Sequence, residues 1–141
     1  MSSQPDIHGI RPRIMDVYET VLYGADIDAV MLFYRDVVGL ALIKADPDLM
    51  AALRLPGGGV LLIFDPLAAA VPGRPVPSHG TQGAGHVAFR VDDLDTWRAH
   101  LTNRGIEIER EIDWDAERSS IYVRDPAGNS VEFVRGDLWF K

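Results

Sequence analysis

An internal repeat constrains this chain more than any other feature of its sequence. The ten residues from Glu19 to Asp28 align with those from His86 to Asp95, at a constant offset of 67 positions. Each copy opens with a short strand-like run, reaches an aspartate, and continues with apolar residues at helical spacing. A module of this size leaves one face of its sheet uncovered, so the repeat predicts that two modules pair.

A helix is predicted after the first strand of each copy. Asp26 and Asp93 are good N-cap residues because a carboxylate accepts hydrogen bonds from the free N–H groups of the first turn. Gly39 and Gly105 stand where a left-handed residue commonly ends a helix. The apolar stripes in between are Ile27, Val30, Met31, Tyr34, Val37 and Val38 in the first copy, and Leu94, Trp97 and Leu101 in the second.

Three more strands are predicted after each helix, which makes each copy a βαβββ module of an α+β fold. In the first copy they are Leu40–Ala45, Met50–Leu55 and Val60–Phe64, and in the second Ile106–Ile112, Ser119–Arg124 and Ser130–Arg135. The stretch Asp65–Gly83, rich in Ala, Pro and Gly, is interpreted as a linker with neither helix nor strand. The predicted organisation is a flexible tail at 1–13 and one domain at 14–141, with module 1 at about 14–64, the linker at 65–83, module 2 at about 84–135 and a C-terminal tail at 136–141.

Composition and charge exclude several classes of function. The net charge is −7, from 21 acidic and 14 basic residues, and no basic stripe is visible, so nucleic acids and anionic membranes are not expected partners. The chain has no cysteine, which excludes disulfides, thiolate metal sites and a cysteine nucleophile. No signal-peptide pattern or membrane-length apolar run is present, and a cytoplasmic protein is expected.

Strand alternation sorts the polar residues by face. Val87, Phe89 and Val91 share one side of their strand, and the Val- and Phe-rich sides are expected to pack under the helices. The opposite sides then hold four charged or titratable residues that look inward between the modules: Glu19, His86, Arg90 and Glu132. One imidazole and two carboxylates that converge make a mixed nitrogen and oxygen site for a divalent ion. Salt bridges with Arg90, and a hydrogen-bonded His86, are the alternative.

Three segments in this order resemble the vicinal-oxygen-chelate superfamily. They are Glu19-x-Val-Leu-Tyr followed by Phe33-Tyr-Arg-Asp-Val-Val-Gly39-Leu, then Gly85-His-Val-Ala-Phe, and finally Ile121-Tyr-Val-Arg-Asp-Pro-Ala-Gly-Asn-Ser-Val-Glu132-Phe. That superfamily includes glyoxalase I, fosfomycin-resistance enzymes, extradiol dioxygenases and bleomycin-resistance proteins, and the match covers about residues 16 to 135. The resemblance implies two modules that pair into a curved, half-open eight-stranded barrel with helices outside. It also implies a homodimer, with the modules paired within a chain or swapped through the linker.

The resemblance places metal ligands on Glu19, His86 and Glu132, and the two glutamates are the catalytic candidates. Leu62 stands where glyoxalase I-like members carry a fourth ligand and proton-transfer base, a role that leucine cannot fill. Glu19 stands where extradiol dioxygenases carry the first of two histidines. A second carboxylate favours Mn²⁺, Mg²⁺, Ni²⁺ or Zn²⁺ over an oxygen-activating Fe²⁺.

Three protein ligands would leave positions on the ion for a small substrate with two adjacent oxygens. The expected activity is lyase, isomerase, thiol-addition or ring-cleavage chemistry, and the alternative is metal-free binding of a small molecule, as in bleomycin-resistance proteins. Candidate substrate contacts are Tyr23, Arg90, Tyr122 and Arg118, together with His79 if the linker folds over the cleft. Trp114, Trp139 and Phe140 are expected at an interface, with no role in ligand binding.

Overall fold

The computed structural model describes residues 12–81 and 83–140 of the chain. Module 1 contains β1 (Glu19–Tyr23), α1 (Ile27–Leu32), β2 (Ala41–Asp46), β3 (Met50–Arg54) and β4 (Val60–Phe64). A short helix, α2 (Pro66–Ala70), comes next. Module 2 contains β5 (His86–Val91), α3 (Leu94–Asn103), β6 (Arg110–Asp113), β7 (Ser119–Arg124) and β8 (Ser130–Arg135). The predicted α+β class and the two βαβββ modules are confirmed.

Each module forms its own four-stranded sheet, and the two sheets share one topology. The strand orders are β1-β4-β3-β2 and β5-β8-β7-β6, in which β1 and β4, and likewise β5 and β8, run parallel. Val21 lies opposite Leu62 in module 1, as Ala88 lies opposite Glu132 in module 2. The two sheets are not closed into one barrel within the chain, in keeping with the half-open arrangement expected.

The helix ends follow the predicted capping. Asp26 accepts a hydrogen bond from the backbone N–H of Ala29 at 3.1 Å, and Asp93 accepts one from Asp95 at 3.0 Å. Gly39 ends the first helical segment with a φ of 93°. Before it, the helix widens to π-helical hydrogen bonding at Phe33–Val38, a change that the apolar spacing does not reveal.

Two segments differ from the prediction: the linker contains a helix, and the strand after α3 begins later. The linker is not free of helix, because Asp65 accepts hydrogen bonds from the backbone N–H groups of Leu67 and Ala68, and Pro66 opens α2 with its ring-fixed φ. The strand predicted from Ile106 begins at Arg110, because Ile106 and Ile108 pack against the core from an irregular segment. The expected tail at 1–13 lies outside the described residues except for Pro12 and Arg13.

One apolar core joins the helix-covered sides of both sheets. It contains Val30 and Tyr34 from module 1 together with Ile121 and Phe133 from module 2, and all four side chains are fully buried. Partly buried Val87, Phe89, Val91 and Trp97 pack against it, so the predicted facing of β5 and of the helix stripe is confirmed. The uncovered face of each sheet therefore points away from this shared core.

A buried polar network reinforces the junction of the modules. The Tyr34 hydroxyl donates to Asp125 Oδ2 at 2.8 Å, and the Asn129 side-chain amide donates to the same oxygen at 2.8 Å. The Asn129 amide also donates to the carbonyl of Tyr23 at 3.2 Å. Asp125 and Asn129 are buried, and the bonds to Tyr34 and Tyr23 cross from one module to the other, so they fix how the modules face.

None of the described helices combines the length and the apolar character that crossing a membrane requires.

Candidate functional site

The uncovered face of module 2 forms a cavity of about 570 Å³. The sheet supplies His86, Ala88, Arg90, Tyr122, Glu132 and Val134, Trp114 comes from the loop after β6, and residues 136–140 after β8 close one side. A volume of this size suits a small organic molecule. His86, Arg90 and Glu132 line this cavity together, as alternation along the strands predicts. Tyr122, whose facing the sequence left open, lines it as well.

Glu132 is the buried charge of this cavity, with its side chain 8% exposed. Its Oε2 accepts a hydrogen bond from the Ser120 hydroxyl at 2.6 Å, and the Trp114 indole N–H donates to that hydroxyl at 2.9 Å. Its other oxygen, Oε1, lies 3.3 Å from His86 Nε2. Ser120 and Trp114 thus hold the carboxylate so that Oε1 faces the imidazole.

The hydrogen bond on the far side of the His86 ring sets the role of Nε2. Nδ1 lies 3.1 Å from the carbonyl oxygen of Ser130, and since a carbonyl only accepts, Nδ1 carries the proton. In the neutral ring Nε2 then presents a lone pair toward Glu132 Oε1, and two lone pairs need a cation or a proton between them. A protonated ring would form an ion pair there instead.

The chemistry of this pair fits a divalent ion. Two atoms 3.3 Å apart are spaced like adjacent ligands that each lie about 2.1 Å from one ion. Metal-binding histidines usually donate their other ring N–H to a carbonyl or carboxylate, and metal-binding carboxylates are themselves hydrogen-bonded. Ser130 and Ser120 provide these two outer contacts. His86 and Glu132 therefore offer two of the donors that a metal site requires, each with its outer hydrogen bond.

Tyr122 borders the pair from the adjacent strand. Its ring lies nearly parallel to the His86 ring, with centroids 6.4 Å apart. Burial, and then the negative charge of Glu132 and a hydrogen bond with it, raise the pKa of Tyr122 above its ordinary value. The phenol therefore stays protonated at neutral pH, and its proton is directed at the Glu132 carboxylate.

Glu19 does not join His86 and Glu132 within the chain. It is exposed on β1, on a sheet whose uncovered face points away from the shared core. Among residues 12–81 and 83–140, no three His, Asp or Glu side chains are grouped so that they could hold a metal ion. The three ligands inferred from the resemblance are therefore split between two faces of the molecule.

Two other candidates meet on the face of module 1. The Tyr23 hydroxyl and His79 Nδ1 are 2.5 Å apart, and the His79 ring sits edge-on to Phe64 with centroids 4.6 Å apart. The backbone N–H of His79 donates to the carbonyl of Ala69 in α2 at 3.0 Å. The linker thus folds over module 1, and His79 does not line the module 2 cavity.

Arg118 does not line the cavity, whereas three aromatic residues without a predicted role in ligand binding do. Arg118 forms an ion pair with Asp115 and donates to the carbonyl of Asp137 at 3.3 Å, outside the cavity wall. Trp114, Trp139 and Phe140 do line the cavity, although sequence reasoning gave them no ligand role. The available signal was an aromatic pair just beyond the strand that carries Glu132.

Comparison with known proteins agrees with the fold. Residues 16–133 match the model of the Glyoxalase/Bleomycin resistance protein/Dioxygenase superfamily. The crystal structure of a lactoylglutathione lyase from Agrobacterium tumefaciens is similar, with 37% identity, a TM-score of 0.84 and coverage of 92% of this chain and 100% of that one.

Two more distant relatives carry less specific names. A glyoxalase/bleomycin resistance protein/dioxygenase from Nocardioides has 23% identity, a TM-score of 0.72 and coverage of 95% of this chain and 91% of that one, and this likeness concerns the fold alone. The uncharacterized protein YaeR of Escherichia coli (strain K12) is 27% identical over 126 residues, which cover 84% of this chain and 95% of the relative.

Proposed function

Since the chain belongs to the Glyoxalase/Bleomycin resistance protein/Dioxygenase superfamily, we propose that it is an enzyme that depends on a divalent metal ion. His86 and Glu132 would hold the ion, and its site would accept a small substrate with two adjacent oxygens. The observation that carries this proposal is the 3.3 Å approach of His86 Nε2 and Glu132 Oε1, each supported on its far side by a hydrogen bond.

The bound ion would act as a Lewis acid toward the substrate oxygens, which favours lyase or isomerase chemistry at the neighbouring carbon. Ser120 donates to the Glu132 carboxylate, and the neutral Tyr122 phenol, hydrogen-bonded to the same carboxylate, would help to orient it. Leu62 offers no base on the module 1 side, so proton transfer falls to Glu132 and Glu19. The 37% identity with the Agrobacterium protein supports this class of reaction.

We further propose that Glu19 reaches this site from a second copy of the chain. Strands β1 and β5 are edge strands in their sheets, and each leaves one side without a strand partner among the described residues. Ile14, Met15 and Val17, just before β1, are exposed apolar residues. A twofold dimer that sets β1 of one copy beside β5 of the other would bring Glu19 to His86 and Glu132 twice.

Mixing two inactive variants tests this arrangement. Glu19→Ala and Glu132→Ala each remove one ligand, so each variant alone should lose tight binding of Mn²⁺. After the two are unfolded together and refolded, about half of the dimers are mixed, and about a quarter of the wild-type sites are intact if the site is shared. Equilibrium dialysis counts bound Mn²⁺ per chain. Wild-type binding with no recovery in the mixture would contradict a shared site.

A metal-free binding protein is the second candidate. The aromatic lining of the module 2 cavity favours it, because aromatic rings can retain a ligand without any ion. Under this alternative His86 and Glu132 form an ion pair. Ligand binding that is equally tight with and without a chelator, in a protein that takes up no divalent ion, would support it over the enzyme.

A further inference from the structure

The C-terminal segment, Asp137–Phe140, is fixed against the cavity by its own hydrogen bonds. Asp137 Oδ1 accepts from the backbone N–H of Trp139 at 3.1 Å and from that of Phe140 at 2.8 Å. The Arg118 guanidinium donates to the Asp137 carbonyl at 3.3 Å. These contacts make a turn directly after β8, and both aromatic residues line the cavity as a result.

The lining of the cavity is aromatic far beyond what packing requires. Trp139 is 86% exposed and Phe140 is 78% exposed, and Trp114 and Tyr122 border the same space. Exposed aromatic side chains grouped around a concave surface are typical of a binding site rather than of a solvated surface. Their flat faces are suited to another flat ring.

In the protein without a bound ion, the charges of the cavity wall disfavour an anionic ligand. Arg90 is the single Lys or Arg among the lining residues, and its guanidinium lies 3.6 Å from Asp137 Oδ2. Glu132 and Asp137 contribute carboxylates to the same wall. A carboxylate or phosphate on a ligand would therefore meet negative charge and a cation that already has a partner.

We propose that the cavity binds an uncharged, planar aromatic compound, with its ring against Trp139 and Phe140 and an oxygen substituent toward His86 and Glu132. Only the oxygen end of this inference depends on the proposed metal function, because ring binding needs no ion.

Calorimetric titration of the full chain tests ring binding in the presence of a chelator. Three probes share one carbon skeleton: 2-naphthol, which is aromatic and uncharged; decahydro-2-naphthol, which is saturated; and 2-naphthoate, which is anionic. 2-Naphthol should bind at least about tenfold more tightly than either of the others. Equal affinity for the saturated alcohol, or tighter binding of 2-naphthoate, would overturn the inference.

Two variants assign the effect to the C-terminal segment. Trp139→Ala should weaken 2-naphthol binding about tenfold, whereas Leu67→Ala, an exposed apolar residue of α2 outside the cavity, should change nothing. Asp137→Asn keeps an acceptor oxygen for the turn but frees Arg90, so it should improve 2-naphthoate binding several-fold. An unchanged affinity of Trp139→Ala for 2-naphthol, together with an unchanged affinity of Asp137→Asn for 2-naphthoate, would contradict the proposal.

The oligomeric state and metal content of the same samples separate the remaining possibilities. Sedimentation of Trp139→Ala should match that of the wild type, and a change of oligomeric state with unaltered 2-naphthol affinity would make the segment a subunit interface instead. A protein that binds 2-naphthol but takes up no divalent ion would refute the proposed metal function alone. One that takes up the ion but shows no aromatic preference would refute this inference alone.

Discussion

The uncovered faces of the two modules share a backbone but have opposite chemistry. Leu62 and Glu132 occupy equivalent places on β4 and β8, opposite Val21 and Ala88 in the parallel partner strands. Leu62 belongs to an apolar cluster with Ala52, Phe64 and Ala69 of α2. Glu132 faces a 570 Å³ cavity instead.

The segments that come after β4 and β8 explain the difference between the two faces. After β4 the chain continues into α2 and the linker, which close the face of module 1 with Ala69 and the Tyr23–His79 contact. After β8 the described chain continues only into the Asp137–Phe140 turn, which lines the face of module 2 without filling it. The face of one module is closed by packing, and the face of the other leaves a cavity open.

Placing a glutamate at position 62, as at the equivalent position 132, should have the largest effect on stability. Leu62→Glu places a carboxylate without a partner in an apolar cluster and should lower the free energy of unfolding by about 4 kcal/mol. Leu62→Met, which conserves volume, should cost less than about 1.5 kcal/mol. Urea denaturation measures both.

The converse change in module 2 should be mild. Glu132→Gln keeps an oxygen to accept from Ser120 and gains an N–H that can donate to His86 Nε2, so stability should change by less than about 1 kcal/mol. If Glu132→Gln lost more stability than Leu62→Glu, the pair of Glu132 with His86 would serve mainly to stabilise the fold.

The junction of the modules is the next most sensitive point, because it keeps the two faces apart. Asp125→Ala removes the acceptor for Tyr34 and Asn129 and leaves buried donors unpaired, which should cost about 3 kcal/mol in urea denaturation. Glu109→Ala removes an exposed ion pair with Arg124 and should change stability little. Similar losses of stability in both variants would contradict a stabilising role for the buried hydrogen bonds of Asp125.

Alkaline pH should weaken the same junction more gradually. Burial, and then the charge and hydrogen bond of Asp125, raise the pKa of Tyr34 far above its ordinary value near 10. Above about pH 10 the unfolded chain releases this proton while the folded chain keeps it. Stability should therefore fall by up to about 1.4 kcal/mol per pH unit.

Tyr34→Phe should remove most of that alkaline slope, and Tyr18→Phe, at an exposed position, should keep it. Denaturant titrations between about pH 9 and 11 compare the two variants. An alkaline slope that survives in Tyr34→Phe would place the titrating group elsewhere.

The repeat, the helix caps and the facing of the strands could be predicted because they depend on neighbours in sequence. Alternation alone put His86 and Glu132 on one face of β5 and β8, and the structure places them 3.3 Å apart. The split of Glu19 from this pair could not be predicted, because it depends on long-range contacts such as that between Tyr34 and Asp125.

The structure of short irregular segments could not be predicted from the sequence either. The five residues of α2 depend on a cap at Asp65 within a stretch rich in Ala and Pro, a composition that also suits a loop. The position of Trp139 depends on a single turn at Asp137, and nothing in local periodicity reports where such a turn directs its aromatic residues.

The most direct test of the central claim is the stoichiometry of divalent metal binding to module 2. Titration of Mn²⁺, Ni²⁺ and Zn²⁺ into the chelator-treated full chain should show one tight site per chain for at least one of these ions. His86→Ala should abolish it, while Glu117→Ala, outside the cavity, should retain it. A wild-type chain that binds none of the three ions, or a His86→Ala chain that binds as well as the wild type, would contradict the account.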